Sequence, residues 1–214
     1  MSSRIIVYKG GNRKEPEMTP YIIKDTPVSD AVLNVIAHLP TKSLAATVDP
    51  AFFQKLTDAD FMRIAVLLAQ KGYDEGGCPI GGVVVDNVSR QILGKGHNTL
   101  VQENHPYNHG ETSAIRDAGR IDFSKTTIFT TLSPCDVCAP LVCARQFNRV
   151  VVGNITTISG NEDFIRSKGV QVDILEDQMG IDLYTKFRTD NPDLDNEDWK
   201  GLAEVTKSKA AACC

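Results

Sequence analysis

The chain has 214 residues, 42% of them hydrophobic and 23% charged, with a formal net charge of -4; this is enough for one well-filled core and gives little reason to expect a second full domain. No Lys/Arg cluster of the sort that tracks a phosphate backbone is present, and Asp190, Asp193, Asp195, Glu197 and Asp198 make the last segment acidic, so no nucleic-acid partner is expected. No run approaches the roughly 18 apolar residues of a membrane span, and Met1-Ser2-Ser3-Arg4 is not followed by an apolar signal region, so no membrane partner is expected and the location is read as cytoplasmic, with the nucleus also open.

Residues 1–56 carry prolines at 16, 20, 27, 40 and 50 and no sustained period, which reads as an N-terminal extension packed partly on the domain, with a short helix around Ser29–His38. Thr57-Asp58-Ala59-Asp60 is suited to cap a helix whose Phe61, Ile64, Ala65, Leu68 and Ala69 recur at three- and four-residue spacing, running to about Lys71. Ile80–Asp86 and Gln91–Gly96 read as a hairpin. Glu111–Gly119 is predicted helical, Thr126–Thr131 a strand, Cys135–Phe147 a helix and Arg149–Val152 a strand; a helix over Asp163–Lys168, a strand over Val170–Leu175 and a helix over Gln178–Phe187 follow. The order implies an α/β fold, three layers α/β/α around a mixed central sheet of about five strands. The domain is placed at 57–200, with residues 201–214 as a C-terminal tail ending in Cys213-Cys214.

Cys135 and Cys138 stand in Ser133-Pro134-Cys135-Asp136-Val137-Cys138, and His109-Gly110-Glu111 begins 26 residues before Cys135. If both cysteines lie in a first helical turn, their thiols lean to one face at the spacing a tetrahedral ion needs, and the helix N-terminus favours thiolate. His109, Cys135 and Cys138 then make three zinc ligands and leave one position open for water. Three other readings compete: a thioredoxin-like redox pair, a structural zinc drawing on Cys78 or Cys143, and His97 or His105 as the ligand in place of His109. Glu111 alone would pass for a solvated helix-start carboxylate; beside the zinc set it becomes the natural proton carrier. His-x-Glu followed by Pro-Cys-x-x-Cys is the signature of zinc deaminases, in which the metal activates water and the glutamate moves protons.

Beyond that motif, Gly72-Tyr73 with Glu75-Gly76-Gly77, Pro79-Ile80-Gly81-Gly82, Gly96-His97-Asn98, Thr130-Thr131-Leu132 and Val151-Val152-Gly153 resemble the cytidine and deoxycytidylate deaminase superfamily, and within it the fungal cytosine deaminases. The resemblance spans residues 60 to 200. It implies a cytidine deaminase-like fold, one catalytic Zn2+ per subunit on His109, Cys135 and Cys138, Glu111 as catalytic proton shuttle, a small-molecule nucleobase substrate, hydrolytic conversion of cytosine to uracil in pyrimidine salvage, and a homodimer. It further implies that the Asn98 side chain and the Gly110 backbone orient the pyrimidine, that the Ser133 carbonyl steers the leaving amine, and that Asp198 is the acid of a closing C-terminal helix. Two positions depart from the pattern: Ile158 replaces an aromatic set against the base, and Asp195 a tryptophan three residues before the acid, with Trp199 a candidate substitute. These departures keep open deamination of another small amino-heterocycle, such as 5-methylcytosine, isocytosine, guanine or a creatinine-like ring, and a non-catalytic zinc-stabilised interaction protein; a tRNA-editing enzyme would need a basic, aromatic-bearing track.

Overall fold

Val83, Val84 and Val85, then Val150, Val151 and Val152, are β-branched runs that fit strands buried on both faces. In the computed structural model, which describes residues 28–158 and 160–200 and the backbone of 4–6 and 20–22, these runs form the middle of a five-stranded sheet. Strands β1 (Arg4–Ile6) and β2 (Pro20–Ile22) pair antiparallel apart from it. The main sheet contains β3 (Gly81–Asp86), β4 (Ile92–His97), β5 (Thr126–Thr130), β6 (Arg149–Val152) and β7 (Gln171–Ile174), in the order β4-β3-β5-β6-β7. β3 runs antiparallel to both β4 and β5, whereas β5, β6 and β7 are parallel. The sheet is therefore mixed and five-stranded, as expected.

Helices cover both faces. Before β3 come α1 (Asp30–His38), α2 (Thr41–Thr47), α3 (Pro50–Phe53) and α4 (Asp58–Asp74). α5 (Leu100–Glu103) and α6 (Gly110–Ala118) lie between β4 and β5, α7 (Cys138–Ala144) and α8 (Glu162–Ser167) flank β6, and α9 (Gln178–Asp190) and α10 (Pro192–Lys200) follow β7. Alternation along β3 divides the core: Val83 and Val85 join Phe61, Ile64 and Phe129, whereas Val84 joins Ala114, Ile128, Val142 and Ile165 on the other face. The described part of the segment before residue 57 belongs to the first of these layers, because Leu33, Ile36, Leu44, Phe52 and Phe53 are buried in the same cluster as Phe61.

α4 starts at the expected cap: the Thr57 hydroxyl accepts from the Asp60 N–H while the Asp60 carboxylate accepts from the Thr57 N–H. The helix expected over Cys135–Phe147 is corrected: regular helix covers only Cys138–Ala144. The Ala139 N–H donates to the Cys135 carbonyl at 3.0 Å, but Pro140 has no N–H for the Asp136 carbonyl, so the ladder is interrupted after one turn.

Asp58, in the first turn of α4, links three elements by accepting from Arg90 at 2.9 Å and from Arg149 on β6 at 2.6 Å. Burial alone would raise its carboxyl, but the two guanidinium groups outweigh that and hold it below 3.8. A carboxyl lowered in the folded state contributes stability that is present above its unfolded value and lost as pH falls through the folded one. Asp58→Ala is therefore expected to cost about 1–2 kcal/mol in urea unfolding at pH 7, between an exposed and a fully buried pair, and the deficit should shrink below about pH 4. Equal urea midpoints at pH 7 would contradict this.

Candidate metal and catalytic centre

The strand register puts the start of β3 and the ends of β4, β5 and β6 on one edge, since Gly81 pairs with His97, Gly82 with Thr130, and Thr130 with Val152. α6 and α7 begin at this edge, so their positive N-terminal ends converge where the parallel strands finish. Close approach is needed for this. A Cβ on Gly110 would lie 2.8 Å from the Ile80 carbonyl oxygen, and one on Gly82 would lie 2.6 Å from the Gly110 carbonyl oxygen.

His109 is the N-cap residue of α6. Its Nδ1 lies 3.2 Å from Cys135 Sγ and 3.6 Å from Cys138 Sγ. Bonds of 2.0–2.3 Å around a tetrahedral zinc imply ligand-to-ligand edges of about 3.3–3.8 Å, so the three atoms stand near the separations that such an ion requires. They form a candidate metal cluster, all within 4.8 Å of one another. The rival ligands are placed elsewhere. His97 Nε2 meets Glu75 at 2.8 Å, the His105 ring packs edge-on to Tyr107, and Cys78 and Cys143 lie outside the cluster.

Glu111 is buried and reaches into this set, its Oε2 3.4 Å from Cys138 Sγ. Oε1 accepts from the Thr130 hydroxyl at 3.0 Å. Burial, with the Cys135 thiolate nearby, pushes the Glu111 carboxyl up to about 7. The Cys138 thiol hydrogen bond holds Cys135 down to about 4, and that same bond with burial drives Cys138 well above 9.0. For His109, burial opposes the charge, but Cys135 and the carboxylates of Asp198 and Glu111 outweigh it and raise the imidazole to about 9. Two sulfurs, an imidazole and two carboxylates gathered at a partly buried site call for a cation, and the N,S,S donor set fits zinc.

Around this centre Asn98 is fully buried, donating from Nδ2 to Asp198 Oδ1 at 2.6 Å and accepting at Oδ1 from the Leu100 N–H at 3.1 Å. Asp198 is raised to about 6 by burial, against the lowering effects of His109 and Asn98. α10 thus brings its acid onto the zinc side of the fold. Ser133 is buried, its N–H donating to the Asn154 carbonyl and its hydroxyl to Glu162; Asn161 donates to the Pro134 carbonyl at 3.1 Å. The loop carrying Cys135 is thereby pinned from the start of α8.

The structure does not bring Ile158 and Asp195 together with the zinc set in the same way. Ile158 packs with Trp199, Tyr73 and Leu194 against Tyr184 and Phe187. The buried Asp195 carboxylate accepts from the Tyr184 hydroxyl and lies 3.5 Å from Arg188 Nε, and Trp199 Nε1 donates to Tyr184 at 2.9 Å. Thr130, Glu162 and Tyr184 were not singled out in the sequence. Thr130 lies inside a motif already noted, while Glu162 holds Ser133 and Tyr184 holds Asp195 through contacts that only the fold creates.

Residues 55–154 match the family model for the cytidine and deoxycytidylate deaminase zinc-binding region. The chain is 40% identical to a cytosine deaminase of Candida albicans over 144 residues, covering 66% of this chain and 95% of that protein. It is 32% identical to a tRNA-specific adenosine deaminase of Haemophilus influenzae over 109 residues, covering 49% of this chain and 62% of that one. Among solved structures, a guanine deaminase of Nitrosomonas europaea aligns with a TM-score of 0.56 at 15% identity, covering 62% of this chain and 85% of that one. A tRNA:A34 deaminase aligns with a TM-score of 0.52 at 20% identity, covering 58% and 99%. At these identities the structural likenesses speak for the fold, while the match over nearly all of the Candida albicans protein speaks for descent. With a His/Cys/Cys cluster and a buried glutamate at the edge of a mixed five-stranded sheet, the chain belongs to the cytidine and deoxycytidylate deaminase family.

Proposed function

We propose that this protein hydrolyses free cytosine to uracil and ammonia, with one zinc per subunit on His109, Cys135 and Cys138. The observation that carries this reading is the Glu111 carboxyl, buried against Cys138 and fixed by Thr130, in a chain similar to a cytosine deaminase. Zinc, when bound, supplies a water acidic enough to lose a proton near neutral pH.

Glu111 takes that first proton and delivers it to ring N3 as the C4–O bond forms. It then carries the second water proton to the amino group, the C4–N bond breaks, and ammonia leaves. A buried carboxyl fixed by the Thr130 hydroxyl beside the ligand set is placed to accept and return protons there. The Gly110 N–H, at the first turn of α6 and so without an intrahelical acceptor, and the Asn98 amide hold the pyrimidine carbonyl side. The Ser133 carbonyl and Asp198 receive the departing amine.

Asn98 and Asp198 hold one another, so their removal should be non-additive. Asn98→Ala and Asp198→Ala are each expected to lower kcat/KM by about 100-fold, and the double variant by little more. A double variant reduced by the product of the two would show that they act independently.

The second reading, another small amino-heterocycle, is favoured by one observation: position 158 carries Ile, which like Trp199 packs against the cluster holding Tyr184 and Phe187, in place of an aromatic ring that could stack on a base. Rates on cytosine, 5-methylcytosine, isocytosine, guanine and creatinine under one set of conditions separate the two. Cytosine as the best substrate supports the proposal, and a tenfold or greater preference for another ring overturns it in favour of the second reading.

We further infer a homodimer with no nucleic-acid partner, acting in pyrimidine salvage in the cytoplasm, with the nucleus also open. The acidic balance of the chain weighs against a nucleic-acid partner, and the free thiols of Cys78 and Cys143 suit a reducing compartment. No helix among the described residues is long and apolar enough to cross a membrane. The division into extension 1–56, deaminase domain 57–200 and tail 201–214 stays part of this proposal.

A further inference from the structure

A cleft of about 580 Å3 lies between the α1–α2 corner and the body formed by α4, β4 and α6. That volume is in the range of small-molecule sites. None of His109, Glu111, Cys135 or Cys138 lines it, so it is separate from the metal centre.

Its chemistry is that of an anion site. Lys42, Lys71, Lys95 and Arg116 face it against two carboxylates, Glu103 and Asp117, and Lys71 also meets Glu75 at 3.5 Å. Both carboxylates already have partners: Asn108 and Arg116 for Glu103, the Thr41 hydroxyl and the Lys95 N–H for Asp117. Lys95 is held at one side by the Ala37 carbonyl, 2.6 Å from Nζ. Burial holds its ammonium down to about 8, with the Asp117 carboxylate opposing that shift and Lys71 adding to it. Two hydroxyls in the lining, Thr99 Oγ1 and Ser113 Oγ, are buried without a hydrogen-bond partner among the described residues, in residues 8% and 7% exposed. Unpaired buried hydroxyls cost about 1–3 kcal/mol each unless something completes them. Ala37, Leu39, Pro40 and Leu68 give the wall an apolar part, and Gly96 with the imidazoles of His38 and His97 completes the lining.

We propose that this cleft binds a small organic phosphate ester, its phosphoryl group taking Lys71, Lys95 and the Thr99 and Ser113 hydroxyls and its organic part lying on the Ala37–Pro40 wall. A phosphoryl group presents three oxygens in three dimensions, which matches cations and hydroxyls arriving from β4, α4 and α6 better than a planar carboxylate does. Such a ligand would tie α1 and α2 to the body of the fold.

Calorimetric titration of the zinc-loaded protein with inorganic phosphate, ribose 5-phosphate and uridine 5′-monophosphate, with ribose and uridine as controls, tests this. Saturable binding of the phosphate esters, with a matching rise in Tm and at least tenfold weaker binding of the unphosphorylated controls, is expected. Lys71→Gln and Ser113→Ala should each weaken phosphate-ester binding about tenfold. Ser113→Ala should fold at least as stably as the parent, since it removes an unsatisfied hydroxyl, so its effect on binding is readable. Absence of saturable binding up to millimolar concentration, equal affinity for uridine and its monophosphate, or unchanged affinity in both variants would overturn the proposal.

Discussion

Glu111→Gln is expected to lower kcat on cytosine by about 1,000-fold or more, roughly 4 kcal/mol of barrier, while the zinc content stays at that of the parent. Glutamine has the shape of glutamate and can still accept from the Thr130 hydroxyl now bonded to Glu111 Oε1. None of the three ligand atoms is altered, so the metal remains. What is lost is a group that can take a proton from water and return it, and the same group is used for both ring N3 and the amine, so two steps fail together. Zinc by metal analysis and uracil by absorbance on one preparation separate the effects. A glutamine variant within tenfold of the parent would show that another group moves the protons.

Cys135→Ala has the second large effect, and it differs in kind. Removing one of three ligand atoms leaves His109 Nδ1 and Cys138 Sγ, 3.6 Å apart, as a two-point site. Zinc is then expected to be lost on dialysis, and activity with it, whereas Cys143→Ala should keep both, because Cys143 lies outside the cluster and packs at the edge of the core between α7 and the sheet. Retention of full zinc by Cys135→Ala, or its loss from Cys143→Ala, would point to a different ligand set.

Local signals account for much of what was legible. The Thr57–Asp60 cap and the valine runs each depend on residues adjacent in sequence, and they appear as α4, β3 and β6. The Cys-x-x-Cys pair could be placed at a helix start, but not the point where regular helix begins, because Pro140 acts two residues inside the turn that Cys138 starts. α1, α2 and α3 are nine, seven and four residues long, with Pro40 and Pro50 at their junctions; helices that short barely show a 3.6-residue period, so only the first was foreseen. The meeting of His109 with Cys135 was readable because a crossover over β5 brings two helix starts to one sheet edge. The engagement of Asp195 by Tyr184 was not, since it depends on how α9 and α10 fold against each other. The cleft beside Lys95 joins residues from six elements and left no local pattern at all.

The most direct measurement is the uracil formed per zinc by the loaded protein supplied with cytosine, run beside Glu111→Gln at equal zinc content. Stoichiometric uracil and ammonia from the parent, with the variant at background, is the expected result. Uracil formation that persists in the variant, or a zinc-loaded parent that leaves cytosine unchanged, would contradict it.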